Sequence, residues 1–183
     1  LPGAEALRAP LLRYFLATRP AFLSVTAVGV LLGWAHALAA GQHFALLPAA
    51  LTLLFALMAH AGVNVLNDYY DHLNGSDAQN QERVFPFTGG SRFIQNQVLT
   101  PRATAIFGAL LLLAVIPPGL WLAVRSGPDL LWIGAAGLLI GWAYSAPPLK
   151  LASRGLGELA IAAGWWLVVV GSDFVQCGAF DGQ

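Results

Sequence analysis

Five stretches of this chain are long, apolar and almost free of charged side chains. They cover residues 21–40, 44–66, 103–124, 130–146 and 156–175. A helix needs about 20 apolar residues to cross a bilayer, and about 17 to 25 are tolerated. The sequence therefore predicts an all-α fold, a polytopic bundle of five transmembrane helices. Pro117-Pro118 lies inside the third stretch and predicts a kink there.

A soluble protein would need a large polar surface to cover five such helices. Only 10% of the residues are charged, against roughly 25% in an ordinary soluble domain. Nine basic and nine acidic residues cancel, so no excess of positive charge favours nucleic acid. The single cysteine, Cys177, excludes an internal disulfide and a cysteine metal site. The composition therefore favours one membrane domain over a soluble, nucleic-acid-binding or disulfide-rich protein.

The basic residues lie almost entirely on one side of the predicted bundle. Three precede the first helix, three lie between the second and third, and two lie between the fourth and fifth. Arg125 is the one basic residue in a link on the opposite side. By the positive-inside rule, the N-terminus and the link at 67–102 are predicted to be cytoplasmic. We expect a multi-pass protein of a bacterial inner membrane.

The link at 67–102 carries the residues best suited to chemistry. It holds four of the nine acidic residues, and links of this length are usually functional or disordered. If the second helix continues for one or two turns, Asn64, Asp68 and Asp71 share one face. Asn67 and Asp71 share the adjacent face, and Asp77 follows six residues later. The pattern predicts a cluster of oxygen ligands at the mouth of the bundle.

Two carboxylates one helical turn apart repel each other, so we expect a cation between them. Hard oxygen ligands favour Mg²⁺ or Ca²⁺ over zinc, and Mg²⁺ completes its shell with water and substrate phosphate. A merely solvated acidic helix end is a poorer explanation, because carboxylates there oppose the helix dipole and charges at a membrane edge are costly. An EF-hand is not supported, because its alternating ligands are missing. The predicted metal ligands are Asp68, Asp71 and Asp77.

A second group of residues is suited to bind an anion. In the segment Gly89-Gly90-Ser91-Arg92, glycines let successive backbone N–H groups converge on an anion, and the serine adds a hydroxyl. Arg83 and Lys150 add positive charge on the same side of the membrane. Beside a metal site, this set favours a diphosphate. The predicted diphosphate-binding residues are Asn64, Arg83, Ser91, Arg92 and Lys150.

These motifs together resemble the UbiA superfamily of intramembrane prenyltransferases. Its first aspartate-rich motif has the form Asn-Asp-x-x-Asp-x-x-x-Asp, which Asn67, Asp68 and Asp71 match. Gly75 stands where the last aspartate usually falls, and Asp77 follows two places later. This variant looks like the branch that contains 1,4-dihydroxy-2-naphthoate polyprenyltransferase, of menaquinone biosynthesis. Two later segments also look like that branch: Tyr144-Ser145-x-Pro-Pro and Gly155-Leu156-Gly157-Glu158.

The resemblance implies a Mg²⁺-dependent transfer of a polyprenyl group from a polyprenyl diphosphate to an aromatic acceptor, with 1,4-dihydroxy-2-naphthoate as the first choice. The implied catalytic residues are Asn67, Asp68 and Asp71. Mg²⁺ with basic side chains would neutralise the departing diphosphate. The allylic cation needs a dry pocket with aromatic faces. Candidates for the prenyl and acceptor pocket are Tyr69, Tyr70, Trp142 and Tyr144.

The chain departs from the family in length. Family members have about eight or nine helices and a second aspartate-rich motif, and none of the later residues match that motif. The resemblance therefore implies that residues 1–183 are the N-terminal portion of a single transmembrane prenyltransferase domain. It also implies that the isolated chain is inactive or nearly so.

Two other functions remain open from the sequence. A UbiA-type transferase with another acceptor, or a prenyl-diphosphate cyclase, would use the same donor site. The shifted glycine of the aspartate motif disfavours 4-hydroxybenzoate as the acceptor. An ion-coupled transporter could use Asp68 and Asp71 to bind a coupling ion. Transporters often place such charges near the bilayer midplane, whereas these lie at the membrane edge.

Overall fold

The computed structural model describes residues 9–75 and 90–179, and regular structure within these ranges is helical. The predicted all-α fold is confirmed. We number the helices in chain order: α1 Pro10–Ala17, α2 Pro20–Ala39, α3 Leu46–Asn74, α4 Pro101–Ala114, α5 Ile116–Ser126, α6 Asp129–Ser145 and α7 Gly157–Cys177. A short 3₁₀ turn at Ala152–Arg154 lies between α6 and α7.

Four helical segments of the described residues are long and apolar enough to cross a membrane: Pro20–Ala39, Leu46–Asn74, Pro101–Ser126 and Gly157–Cys177. Helix α6 is apolar but has only 17 residues, the lower limit for a span. By length, the predicted count of five is therefore one too high. Helix α6 still belongs to the bundle, because it packs against α3, α5 and α7.

The third apolar segment is interrupted, as its two prolines predict. Helix α4 ends at Ala114 and α5 begins at Ile116, with Val115 between them. Pro117 and Pro118 carry no backbone N–H, so they cannot donate to carbonyls of the preceding turn. The segment therefore divides into two shorter helices.

Helix α3 is longer than the sequence analysis predicted. The second apolar stretch was expected to end at residue 66, and the helix continues to Asn74. Asn67 supports the added turns by donating from Nδ2 to Asp71 Oδ2, one turn later, at 2.8 Å. Gly75 ends the helix with φ +75, a left-handed conformation typical of glycine after a helix. The link therefore starts later than residue 67, and Asn67, Asp68 and Asp71 lie on α3, as expected if the helix continues past residue 66.

A small apolar cluster holds the segment after residue 90 against the ends of the helices. Its buried residues come from α1, α3 and that segment: Ala17, Val65, Phe93, Val98 and Leu99. Tyr14 of α1 packs edge-on against Phe107 of α4, with ring centroids 4.9 Å apart. This cluster holds the backbone that follows Ser91 against α1 and α3.

Helices α2 and α7 approach each other closely at Gly33. A Cβ atom there would lie 1.9 Å from Ser172 Oγ and 2.4 Å from the Val169 carbonyl oxygen. The Ser172 hydroxyl donates to the Val30 carbonyl at 3.1 Å across the interface. Small residues commonly allow such close packing between membrane helices.

We expect Gly33→Ala to destabilise the bundle by about 1–3 kcal/mol, because the added methyl forces α2 away from α7. The midpoint of thermal unfolding in detergent should fall. Gly137→Ala is the matched control, since beyond the neighbouring backbone of its own helix no atom lies within 4 Å of a Cβ there. Alanine favours a helix over glycine by up to about 1 kcal/mol, so the control should be neutral or slightly stabilising. Equal midpoints for the two variants would contradict the close packing.

Candidate active site

The end of α3 carries a buried ion pair. Asp68 is 4% exposed, and the guanidinium of Arg19 pairs with its Oδ1. The same Arg19 Nη2 donates to Asn67 Oδ1 at 3.0 Å. The sequence predicted a cation beside these aspartates, and in the structure an arginine from the α1–α2 link lies there. The pairing compensates a carboxylate whose burial alone would be strongly unfavourable.

Ser91 binds the other side of the Asp68 carboxylate. Its backbone N–H donates to Oδ1 at 3.1 Å, and its hydroxyl donates to Oδ2. Gly90 precedes it with φ +63, and a Cβ there would lie 2.5 Å from Asp68 Oδ1. Glycine is required at this position by both conformation and space. The segment was predicted to bind a substrate anion, and in the structure the anion it contacts is Asp68.

Asp71 lies one turn further along α3 and faces α6. Asn67 Nδ2 donates to Asp71 Oδ2 at 2.8 Å and to Ser145 Oγ at 2.5 Å. Asn74 Nδ2 donates to the Ser145 carbonyl at 3.1 Å. Two amide side chains of α3 therefore hold the C-terminal end of α6 beside Asp71.

A small pocket of about 220 Å³ lies between these two helix ends. Its lining residues come from α3, α6 and the turn that follows: Asp71, Asn74, Tyr144, Ser145, Lys150, Ala152 and Ser153. The structure thus brings Lys150 and Asp71, 79 positions apart in the sequence, to the walls of one pocket.

A much larger cavity, of about 1220 Å³, extends from the same place into the bundle. Its polar end is formed by five residues: Arg19, Asn64, Asn67, Asp71 and Gly90. The rest is mostly apolar and is lined by α2, α3, α5, α6 and α7. Ligand pockets usually measure about 300–1000 Å³, so this cavity can hold a long apolar molecule with a charged head.

The predicted pocket aromatics divide into two groups. Tyr144 lines both the large cavity and the small pocket. Tyr69, Tyr70 and Trp142 are not among the lining residues of either cavity. The rings of Tyr69 and Tyr70 contact each other instead, with centroids 5.2 Å apart.

Three basic residues of the predicted or observed site have a left-handed backbone. Arg19 has φ 55, Arg92 has φ 55 and Lys150 has φ 45. Within the described ranges, Gln97 is the one other non-glycine residue with positive φ. This conformation costs of order 1–3 kcal/mol for an ordinary residue, and such strain tends to cluster at functional sites.

The end of α3 carries carboxylate oxygens, which are the ligand type that a hard cation prefers. Asp68 already accepts hydrogen bonds from Arg19 Nη2, from the Ser91 hydroxyl and from the Ser91 N–H, which lies 3.1 Å from Oδ1 and 3.3 Å from Oδ2. Asp71 lines both cavities. Residues 9–75 and 90–179 contain no group of three or more His, Cys, Asp or Glu placed to hold a metal. Asp77 and Arg83, two of the predicted site residues, lie outside the described residues.

Arg19 and Ser145 are site residues that the sequence pattern did not indicate. Arg19 is one of the basic residues that set the predicted orientation, and no local pattern marks its partner on α3. Pro20 indicates that a helix starts there, but the contact of Arg19 with Asp68 spans 49 positions. Ser145 belongs to the segment Tyr144-Ser145-x-Pro-Pro, and its contact with Asn67 spans 78 positions.

Comparison with known proteins places this geometry in context. A family model described as "UbiA prenyltransferase family" matches residues 21–181. A "1,4-dihydroxy-2-naphthoate octaprenyltransferase" of Mycobacterium tuberculosis is 34% identical over 136 residues, 73% of this chain and 44% of that protein. The Bacillus subtilis protein of the same name is 30% identical over 172 residues, 91% of this chain and 51% of that protein.

A third relative has a different name. "Chlorophyll synthase, chloroplastic" of Avena sativa is 34% identical over 107 residues, 55% of this chain and 26% of that protein. The chain spans about half the length, or less, of the curated relatives it matches. No solved structure matches it significantly.

Proposed function

The chain belongs to the UbiA prenyltransferase family, and from that premise we propose that its full-length protein transfers a polyprenyl group from a polyprenyl diphosphate to an aromatic acceptor in the membrane. By full-length protein we mean the longest natural chain that contains these residues. It is a multi-pass membrane protein, and we place its aspartate motif on the cytoplasmic side because of the charge bias of the links. We propose a bacterial inner membrane because two of the relatives are bacterial proteins.

The shape of the large cavity is the observation that best supports this proposal. Its polar end at Asn67 and Asp71 continues into an apolar interior within one space of about 1220 Å³. A polyprenyl diphosphate has the same division, a highly charged head on a long hydrocarbon tail.

The residues at the polar end are suited to stabilise a leaving diphosphate. Members of this family generally depend on a metal ion, and when bound, Mg²⁺ would supply positive charge to the diphosphate oxygens. Asp68 and Asp71, with the amide oxygen of Asn67, would hold it. Arg19 lines the large cavity and Lys150 lines the small pocket, so both would add positive charge near the bound diphosphate.

The reaction is a substitution at an allylic carbon. The C–O bond to the diphosphate breaks, and the diphosphate leaves with the electron pair. A ring carbon of the acceptor forms the new C–C bond and then loses a proton, or CO₂ in the case of a naphthoate, to restore aromaticity. Aromatic faces attract cations, and Tyr144 and Trp165 line the cavity where the allylic cation would form.

We propose 1,4-dihydroxy-2-naphthoate as the acceptor, which would place the protein in menaquinone biosynthesis. The names of two relatives support this choice, and so does the shifted glycine of the aspartate motif. The name of the plant relative is the reason to test other acceptors as well.

The full-length protein in lipid nanodiscs tests the proposal directly. We expect it to release diphosphate from a polyprenyl diphosphate only when Mg²⁺ and an aromatic acceptor are both present, with 1,4-dihydroxy-2-naphthoate preferred over 4-hydroxybenzoate and homogentisate. Product analysis would detect a cyclised prenyl chain if the protein is a cyclase. Ion flux in proteoliposomes without diphosphate release would contradict prenyl transfer and support a transporter.

We also propose that residues 1–183 form the N-terminal portion of one prenyltransferase domain, because they carry the first aspartate-rich motif of the family and match about half of each longer relative. That the isolated chain is inactive stays a prediction. The same diphosphate-release assay on the 183-residue chain checks it, and robust transfer would contradict it.

A further inference from the structure

A histidine lies in the wall of the large cavity, inside the membrane-spanning part of α3. His60 lines the cavity together with Thr26 of α2 and Trp165 of α7. Its Nδ1 lies 2.8 Å from Thr26 Oγ1. Its ring meets that of Trp165 edge-on, with centroids 5.0 Å apart and planes at 83°. Three helices therefore fix the position and orientation of one imidazole ring.

The contact with Thr26 determines what the second ring nitrogen can do. A neutral imidazole has one N–H donor and one acceptor nitrogen. If the Thr26 hydroxyl donates to Nδ1, Nε2 carries the N–H; if the hydroxyl accepts, Nε2 is the acceptor. In the described part of the chain, no other residue hydrogen-bonds the imidazole ring of His60. In either tautomer, Nε2 can form one hydrogen bond with a molecule in the cavity, as the donor in one tautomer and as the acceptor in the other.

His60 lies at the boundary between the polar and apolar parts of the cavity. Along α3 the lining changes from Phe55 and Ala59 on one side of it to Asn64 and Asn67 on the other. With a rise of 1.5 Å per residue, His60 is about 10 Å along the helix from Asn67. A diphosphate bound at the polar end would place the first prenyl carbon, and the ring that reacts with it, near this depth.

The two proposed substrates differ in what they can offer a histidine. A prenyl tail is hydrocarbon, so beside it Nε2 would remain unpaired in an apolar cavity, which is unfavourable. A hydroxylated aromatic ring brings a group that can both donate and accept. It also brings a flat face that can pack against Trp165.

We infer that His60 binds a ring hydroxyl of the aromatic acceptor through Nε2 and so forms, with Thr26 and Trp165, the acceptor subsite of the cavity. This inference rests on the proposed function, because it assigns part of the same site. The chemical class that it selects is a hydroxylated single- or double-ring aromatic.

Direct binding separates this inference from the proposed reaction. The probes are 1,4-dihydroxy-2-naphthoate, kept reduced, and 2-naphthoate, which has the same rings and carboxylate without the hydroxyls. Quenching of tryptophan fluorescence in the purified full-length protein gives a Kd for each without turnover. We expect the unmodified protein to prefer the hydroxylated probe by at least about 10-fold and His60→Phe to lose that preference.

Further variants distinguish a lost hydrogen bond from a change of shape. His60→Met has a side chain of similar length without an N–H, so it should also lose the preference for the hydroxylated probe. It replaces His60→Phe as the test if that variant does not fold. His60→Asn keeps hydrogen-bonding atoms and should retain part of the preference. His43→Phe is the matched control, because His43 is exposed and outside the cavity, and it should leave the preference unchanged.

The outcomes for the two proposals can be told apart. Equal binding of both probes by the unmodified protein, or an unchanged preference in His60→Phe and His60→Met, overturns the acceptor subsite even if prenyl transfer is observed. A preference that depends on His60, in a protein that releases no diphosphate from polyprenyl diphosphates, supports the subsite and contradicts the transferase.

Discussion

Asp68→Ala and Asp71→Ala should each abolish Mg²⁺-dependent prenyl transfer by the full-length protein. The diphosphate carries several negative charges that must be neutralised as the C–O bond breaks, and these carboxylates are the proposed ligands of the cation that does so. We expect kcat/KM to fall by at least about 100-fold in each variant, a size typical of losing a charge-stabilising group. The fall in kcat/KM is measured by the release of diphosphate from a radiolabelled polyprenyl diphosphate.

The two variants should differ in protein stability, even though both aspartates are needed for activity. Asp68→Ala removes the buried partner of Arg19, whereas Asp71 is only partly buried and lines both cavities. Asp71→Asn keeps the shape and removes the charge, so a low rate with a normal melting temperature would point to the charge itself. Asp129→Ala, at the exposed first residue of α6, is the control and should keep the normal rate. If both site variants turn over normally and insert into membranes, the site assignment is wrong.

Arg19→Ala should destabilise the bundle by about 3–5 kcal/mol, because it leaves the Asp68 carboxylate buried without its cation. Arg19 also donates to Asn67, so the loss extends to the residue that orients Asp71. The expected result is a markedly lower unfolding midpoint in detergent, at the pH of the activity assay. Arg19→Lys keeps the charge but offers a single ammonium in place of the planar guanidinium, and it should recover part of the loss.

A double variant tests whether the arginine acts through the aspartate. Arg19→Ala with Asp68→Ala removes both charges, and it should be more stable than Arg19→Ala alone because no unpaired buried charge remains. Arg102→Ala is the matched control, since Arg102 is exposed at the start of α4, and it should leave the midpoint nearly unchanged. Additive effects of the two site substitutions would contradict a direct ion pair.

The site could be predicted from the sequence where its residues lie close together along the chain. Asn67, Asp68 and Asp71 are within five positions, so helical spacing alone places them on neighbouring faces of α3. The same spacing could not predict where α3 ends, because the polar residues after position 66 are compatible with both a loop and a helix. The hydrogen bond between Asn67 and Asp71 and the glycine at position 75 show that this stretch is helical.

Residues that join the site from other helices could not be predicted in this way. Arg19 looked like one of several basic residues at a membrane surface, and only the fold places it against Asp68. Ser91 was expected to bind substrate, yet its hydrogen bonds to Asp68 show that the carboxylate competes for the same N–H and hydroxyl. The contact of His60 with Thr26 could not be predicted from the sequence, since Thr26 lies 34 positions earlier on another helix.

The sequence by itself determined the class of the protein, because the few charged residues could not cover so many apolar segments of bilayer length in water. In a membrane, such segments are helices whose backbone hydrogen bonds are satisfied internally. The sequence also determined the local order of the aspartate motif, since covalent spacing limits which side chains share a helix face. Only the tertiary structure decided which charge compensates Asp68, where the cavity changes from polar to apolar, and which helices surround His60. Those contacts join residues that are distant in the chain, and they depend on how the helices pack rather than on any local pattern.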